Sequence, residues 1–183
     1  VVTMIKKQPN TFINFLYVIS LLSVASLLIA MGTLALVFVI AGIVYLLIPS
    51  ARTGIFRDII SGIGGSTNIW VICLSFALLL IILGLITLVS FSVFKLIANV
   101  RRNIYFKPIN LKYIQGILWG YGGIILTNYC SGVLADTYNI NSSSISSDQG
   151  GDGTSLLIWF ALYVIYVMFK YGIDLQEDSD KIV

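Results

Sequence analysis

The fold turns on KLIANVRRNIYFKPINLK, residues 95–112. This stretch holds Lys95, Arg101, Arg102, Lys107 and Lys112, five of the chain's eleven cations, and no acid. Long apolar runs lie on both sides of it. A dense cationic segment between two such runs reads as a hinge on one face of a membrane, where lysine and arginine stay in water while the flanking helices cross.

The composition fits that reading. Of 183 residues, 58% are hydrophobic and 10% charged, and mean hydropathy is +0.97; a soluble domain carries about a quarter charged residues. Each membrane span needs about 20 apolar residues to cross a hydrocarbon core about 30 Å thick, so the length accommodates a few spans and short connectors. The formal charge of +3 implies no direct nucleic-acid binding, because cations gathered at span ends are what membrane orientation requires.

Working outward toward the N-terminus, the second span covers residues 68–95, with Trp70 near its start as an interfacial anchor. A connector at 49–67 precedes it. There Ile55, Phe56, Ile59 and Ile60 alternate with Arg52, Arg57 and Asp58, a spacing suited to a short interfacial helix. Gly62, Gly64 and Gly65 lack the lysine that a phosphate-cradling loop needs and read as a turn. The first span, 12–48, follows Lys6 and Lys7 and ends before Pro49. Ser23, Ser26 and Ala30, continued by Thr33 and Val37, recur at three- and four-residue steps, which predicts a helix-packing stripe.

Toward the C-terminus, the third span covers 112–135. Gly116, Gly120 and Gly123 share one face, and the first two form a GxxxG element that lets a neighbouring helix approach closely. The external loop 136–153 is polar and acidic and includes a glycosylation triplet at Asn141. Its aspartates lack the alternate oxygen ligands and closing glutamate of a calcium loop. The fourth span is 154–173 and the acidic tail 174–183.

The expected fold class is thus an all-α integral membrane protein: one domain of four transmembrane helices in an antiparallel bundle. Counting cations orients it. With the N-terminus cytoplasmic, Lys6, Lys7, Lys95, Arg101, Arg102, Lys107, Lys112, Lys170 and Lys181 lie inside and only Arg52 and Arg57 outside. Nine against two puts both termini in the cytoplasm. The same arrangement sets Cys73 and Cys130 at similar depth, where a disulfide is conceivable if their helices are neighbours.

Catalytic constellations are missing. The chain has no histidine, the commonest general base and metal ligand, and its two cysteines are too few for a metal cluster. The spans hold no carboxylate to activate a nucleophile. The expectation is a non-enzyme with no catalytic, cofactor-binding or metal-binding residues. The expected interaction surface is cytoplasmic: Arg101, Arg102, Phe106, Lys107, Asn110 and Lys112 on the hinge, with Gln176, Glu177, Asp178 and Asp180 on the tail.

Two stretches carry a family resemblance. Residues 105–114, YFKPINLKYI, look like the P-F-x-x-x-N-x-x-x-L-R-x-I hinge of the YoaS-like family of small bacterial membrane proteins, a domain of unknown function with four predicted spans. Residues 172–180, GIDLQEDSD, are similar to that family's ending G-x-x-L-Q-E-E-S-D-L-T-V. Here the proline follows Phe106 instead of preceding it, and Lys181-Ile182 replaces the final Leu-Thr. The resemblance implies a multi-pass protein of the bacterial inner membrane that regulates or anchors a cytoplasmic helix-turn-helix partner. Other readings are an accessory subunit of a larger membrane complex and a peptide immunity or stress protein. The expected partners are membrane lipid and a protein, either that regulator or complex subunits, with self-association left open.

Overall fold

The computed structural model describes residues 11–47, 69–105, 107–137 and 152–181. They form four helices: α1 (Thr11–Leu47), α2 (Ile69–Arg101), α3 (Pro108–Thr137) and α4 (Asp152–Lys181). At a rise of about 1.5 Å per residue the shortest is about 45 Å long, the thickness of a bilayer with its headgroups.

Neighbours in sequence are neighbours in space and run antiparallel. Tyr17 meets Phe94 at 5.2 Å between ring centroids and Phe38 stacks on Phe76 at 3.8 Å, so α1 rises as α2 falls. Gly116 faces Ser92, Gly120 faces Val89 and Gly123 faces Leu85, which sets α3 against α2 in the same sense. One indole joins α4 to α3: Trp159 Nε1 donates to the Leu118 carbonyl at 3.1 Å. Among the described residues no comparable seam closes α4 back on α1.

Burial is inverted relative to a water-soluble protein. Among the described residues the buried positions are Val24, Ile114, Leu118 and Ile173 together with Gly120, Ser20, Ser92, Asn110 and Thr127, while large apolar side chains cover the outside of every helix. In the most apolar stretches of α1 and α4 no residue is buried. Such a surface in water would forgo the main driving force of folding. In lipid it is matched to its solvent, and small or polar groups belong inside, where they let backbones approach and bond across helices.

Three helices are long and apolar enough to cross a membrane, over Thr11–Val44, Cys73–Arg101 and Gly153–Gln176. The third helix is not among them, because Gln115, Asn128 and several glycines and tyrosines dilute its apolar residues.

Several boundaries shift from the sequence reading. The hinge, expected over 96–111, is only the six residues between Arg101 and Pro108. Leu96, Ile97, Ala98 and Val100 favour helix continuation over a break, and Arg101 suits the negative end of the α2 dipole. The tail is likewise helical to Lys181, and Asp136 and Thr137 belong to α3. The expected interfacial helix and glycine turn at 49–67, Trp70's side chain, most of the loop 136–153, and Lys6, Lys7 and Phe106 lie outside the described residues or side chains. Cys73 and Cys130 are free thiols, both exposed.

Candidate functional site

The α2–α3 corner is built from its own backbone upward. Helix α2 stops because Asn103 takes φ 59°, a left-handed conformation that asparagine tolerates better than most residues. The Ile104 amide then reaches back to the Asn99 carbonyl at 2.9 Å and the Asn103 amide to Val100 at 3.0 Å. This paired arrangement satisfies carbonyls that a helix end otherwise leaves open. Helix α3 starts on Pro108, whose fixed φ suits a first helical position.

One side chain locks the turn. Asn110 is 1% exposed; its Nδ2 donates to the Ile104 carbonyl at 2.8 Å and the Tyr105 carbonyl at 2.6 Å, and its Oδ1 accepts from Asn99 Nδ2 at 2.6 Å. A buried amide with every group paired specifies one geometry, since any displacement leaves a polar atom unpaired. Asn110, expected on the interaction surface, is instead an internal strut, because its amide turns inward to the Ile104 and Tyr105 carbonyls that the turn leaves outside both helices.

The corner presents its cations on this frame. Arg101, Arg102, Lys107 and Lys112 are exposed. The Arg101 guanidinium sits 4.8 Å from the Tyr17 ring centroid, a cation–π contact that ties it to α1. Lys95 Nζ lies 5.2 Å from the Phe91 ring and 6.0 Å from Phe94. Because α4 runs antiparallel to α3, its C-terminal end returns to this end of the molecule, where Asp174, Gln176 and Asp178 are exposed. The side chains of Glu177 and Asp180 lie outside the description.

Of the residues expected in packing, Gly116, Gly120 and Gly123 line the α2–α3 seam. A Cβ on Gly120 would lie 2.6 Å from Val89 Cγ2 and one on Gly116 2.9 Å from Ser92 Oγ. Ser23, Ser26 and Ala30 are exposed and touch no neighbouring helix closely enough to be covered. Ser26 Oγ donates to the Ser23 carbonyl within its own helix at 2.9 Å.

At the opposite end α3 and α4 part to leave a cleft of about 160 Å³ lined by Tyr121, Ile124, Ile125, Asn128 and Ser155. Sequence reasoning missed Asn99, Asn103 and Trp159. The first two had a weak signal, asparagines on either side of a basic turn; Trp159 sits in an apolar run and had none.

Compared with protein-family models, curated proteins and solved structures, the chain finds no match.

Proposed function

We propose that this chain is a four-span protein of the bacterial inner membrane, with both termini cytoplasmic, that acts through contacts at its cytoplasmic end and performs no chemistry. The observation that carries the reading is that two charged elements lie toward the same end of the molecule: the exposed cations of the α2–α3 corner and the acids at the end of α4. Crossing by α3 is supported by its position. It starts at the corner where α2 ends and finishes where α4 begins, between two apolar helices whose side chains cover Gly116, Gly120, Gly122 and Gly123.

The docked partner is a cytoplasmic helix-turn-helix regulator, held at the membrane by this surface, as the resemblance to the YoaS-like family implies. The test is co-purification in mild detergent followed by mass spectrometry. Replacing Arg101, Arg102 and Lys107 together by alanine removes a DNA-binding protein that accompanies the wild type; recovery of that protein with the triple variant, or of none with either, contradicts the reading.

A second reading, as an accessory subunit of a larger membrane complex, is favoured by one face of α3. Lys112, Gln115, Trp119, Leu126, Tyr129 and Val133 follow one another at helical spacing and are all exposed, with Trp119 at 70%. Trp119 stands about 16 Å along the helix from Pro108, where lipid offers its indole N–H no acceptor. Stoichiometric recovery with membrane subunits would support this reading.

A further inference from the structure

Helix α3 is held on two sides. Gly116, Gly120 and Gly123 face α2, while Gly122 and the Leu118 carbonyl meet Trp159 of α4. At 3.6 residues per turn those two contacts lie on nearly opposite sides of the helix, which leaves two flanks. Tyr113, Ile117 and Ile124 on one flank are half-buried. On the other, Gln115 is exposed, and Trp119, Leu126, Tyr129 and Val133 are 50% to 70% exposed.

That open flank has two properties that lipid does not serve. Its residues, with Gly122 between them, recur at alternating steps of four and three, the repeat by which parallel helices lock along one seam. At the Gly122 step the Trp159 indole fills the place a side chain would take. The flank also carries hydrogen-bonding groups at depth, Trp119 and, one turn nearer the corner, Gln115. Among the described residues neither side chain has a hydrogen-bond partner, and hydrocarbon offers none.

We propose that this flank is the seam of a parallel homodimer, joining α3 of one copy to α3 of a second about a twofold axis along the membrane normal. Two copies inserted in the same sense meet level with level, and a twofold seam needs a surface that complements itself. This one does. The Trp119 indole only donates, whereas Gln115 both donates and accepts. A long helical side chain leans back toward the N-terminal turn, which carries the indole toward the height of Gln115 in the second copy. A foreign helix would have to bring an acceptor to that level; a second copy brings Gln115. Lys112 continues the stripe at the corner, where water screens the repulsion between copies. The inference rests on the reading that α3 crosses the membrane.

The test places a single cysteine, Leu126→Cys, in the full chain with Cys73 and Cys130 replaced by serine, and oxidises native membranes mildly. The cysteine at 126 links two copies into a covalent dimer, and Leu157→Cys, on the side of α4 away from Trp159, does not. Energy transfer between labelled copies in vesicles gives the dissociation constant, which Gln115→Leu raises roughly three- to tenfold, as expected for a lost bond between helices. No dimer from position 126, equal linking from 157, or an unchanged constant in Gln115→Leu overturns the seam. A foreign membrane subunit linked at 126 in place of a second copy also overturns it. Side-specific labelling of the two ends of α3 is scored separately, so that a failed crossing is distinguished from a failed pairing.

Discussion

Two sets of small residues on this chain have the same spacing and opposite fates. Gly116, Gly120 and Gly123 are pressed against α2, whereas Ser23, Ser26 and Ala30 face outward from α1. The difference lies in what surrounds each stripe. A turn of only six residues, fixed by Asn103 and Asn110, holds α3 against α2 from the Asn99–Asn110 bond to the Leu85–Gly123 contact. Helix α1 meets α2 through aromatic rings on another face, Tyr17 with Phe94 and Phe38 with Phe76. A small-residue stripe permits close approach; a short, rigid connection decides which stripe uses it.

That contrast is breakable by mutation, and the corner is where the effect is largest. Asn110→Ala leaves the Asn99 amide and the Ile104 carbonyl without partners, while the Tyr105 carbonyl keeps the Lys107 amide, at about 1–3 kcal/mol for each buried group. With water reaching part of the turn, the net loss is about 2–4 kcal/mol. Thermal unfolding in detergent should register it, and a variant as stable as wild type would show that the turn does not depend on this side chain.

Next comes the seam. Gly120→Ala forces a methyl to within contact of Val89, whose β-branched side chain has little freedom to move aside. Overpacking of this kind costs about 1–3 kcal/mol, measured by the same unfolding. Trp159→Phe is milder: it removes the hydrogen bond to Leu118, worth about 0.5–1.5 kcal/mol, and should raise protease sensitivity near α4 before it lowers global stability.

The smallest effect belongs to α1. A Cβ on Gly32 meets nothing within 4 Å, so Gly32→Ala leaves stability unchanged or raises it by up to about 1 kcal/mol. Ala30→Leu should be neutral within about 0.5 kcal/mol, as for other exposed positions. If Ala30→Leu instead changes the size of the particle in detergent, the outward stripe is a seam between molecules and the contrast sharpens rather than fails.

Much of this architecture can be read from hydropathy, because long apolar runs leave few alternatives to helices in a membrane. The cations at 95–112 located the corner for the same reason. Its extent could not be read that way. A cluster of cations marks a polar stretch, but it does not by itself stop a helix, and α2 runs on through Leu96 to Val100 as far as Arg101. The fourth helix behaves alike, continuing through Leu175 and Gln176 to Lys181.

The candidate site was legible in its charges and not in its frame. Arg101, Arg102, Lys107 and Lys112 had to be exposed because nothing in an apolar chain could bury them. Asn110 carries the same polar label, yet its role depends on two carbonyls of a turn whose geometry no local pattern specifies. The Trp159 contact depends on Gly122, where a Cβ would sit 2.9 Å from the indole nitrogen, and that partnership spans two helices.

The central claim is that α3 crosses the membrane and returns the chain from the corner to the opposite face. Single cysteines at Arg102 and Ser143, in a chain with Cys73 and Cys130 replaced by serine, test it with a membrane-impermeant thiol reagent applied to sealed inside-out and right-side-out vesicles. The account predicts that position 102 reacts only from the cytoplasmic side and position 143 only from the other. Reaction of both from one side would mean that α3 does not cross, leaving three spans.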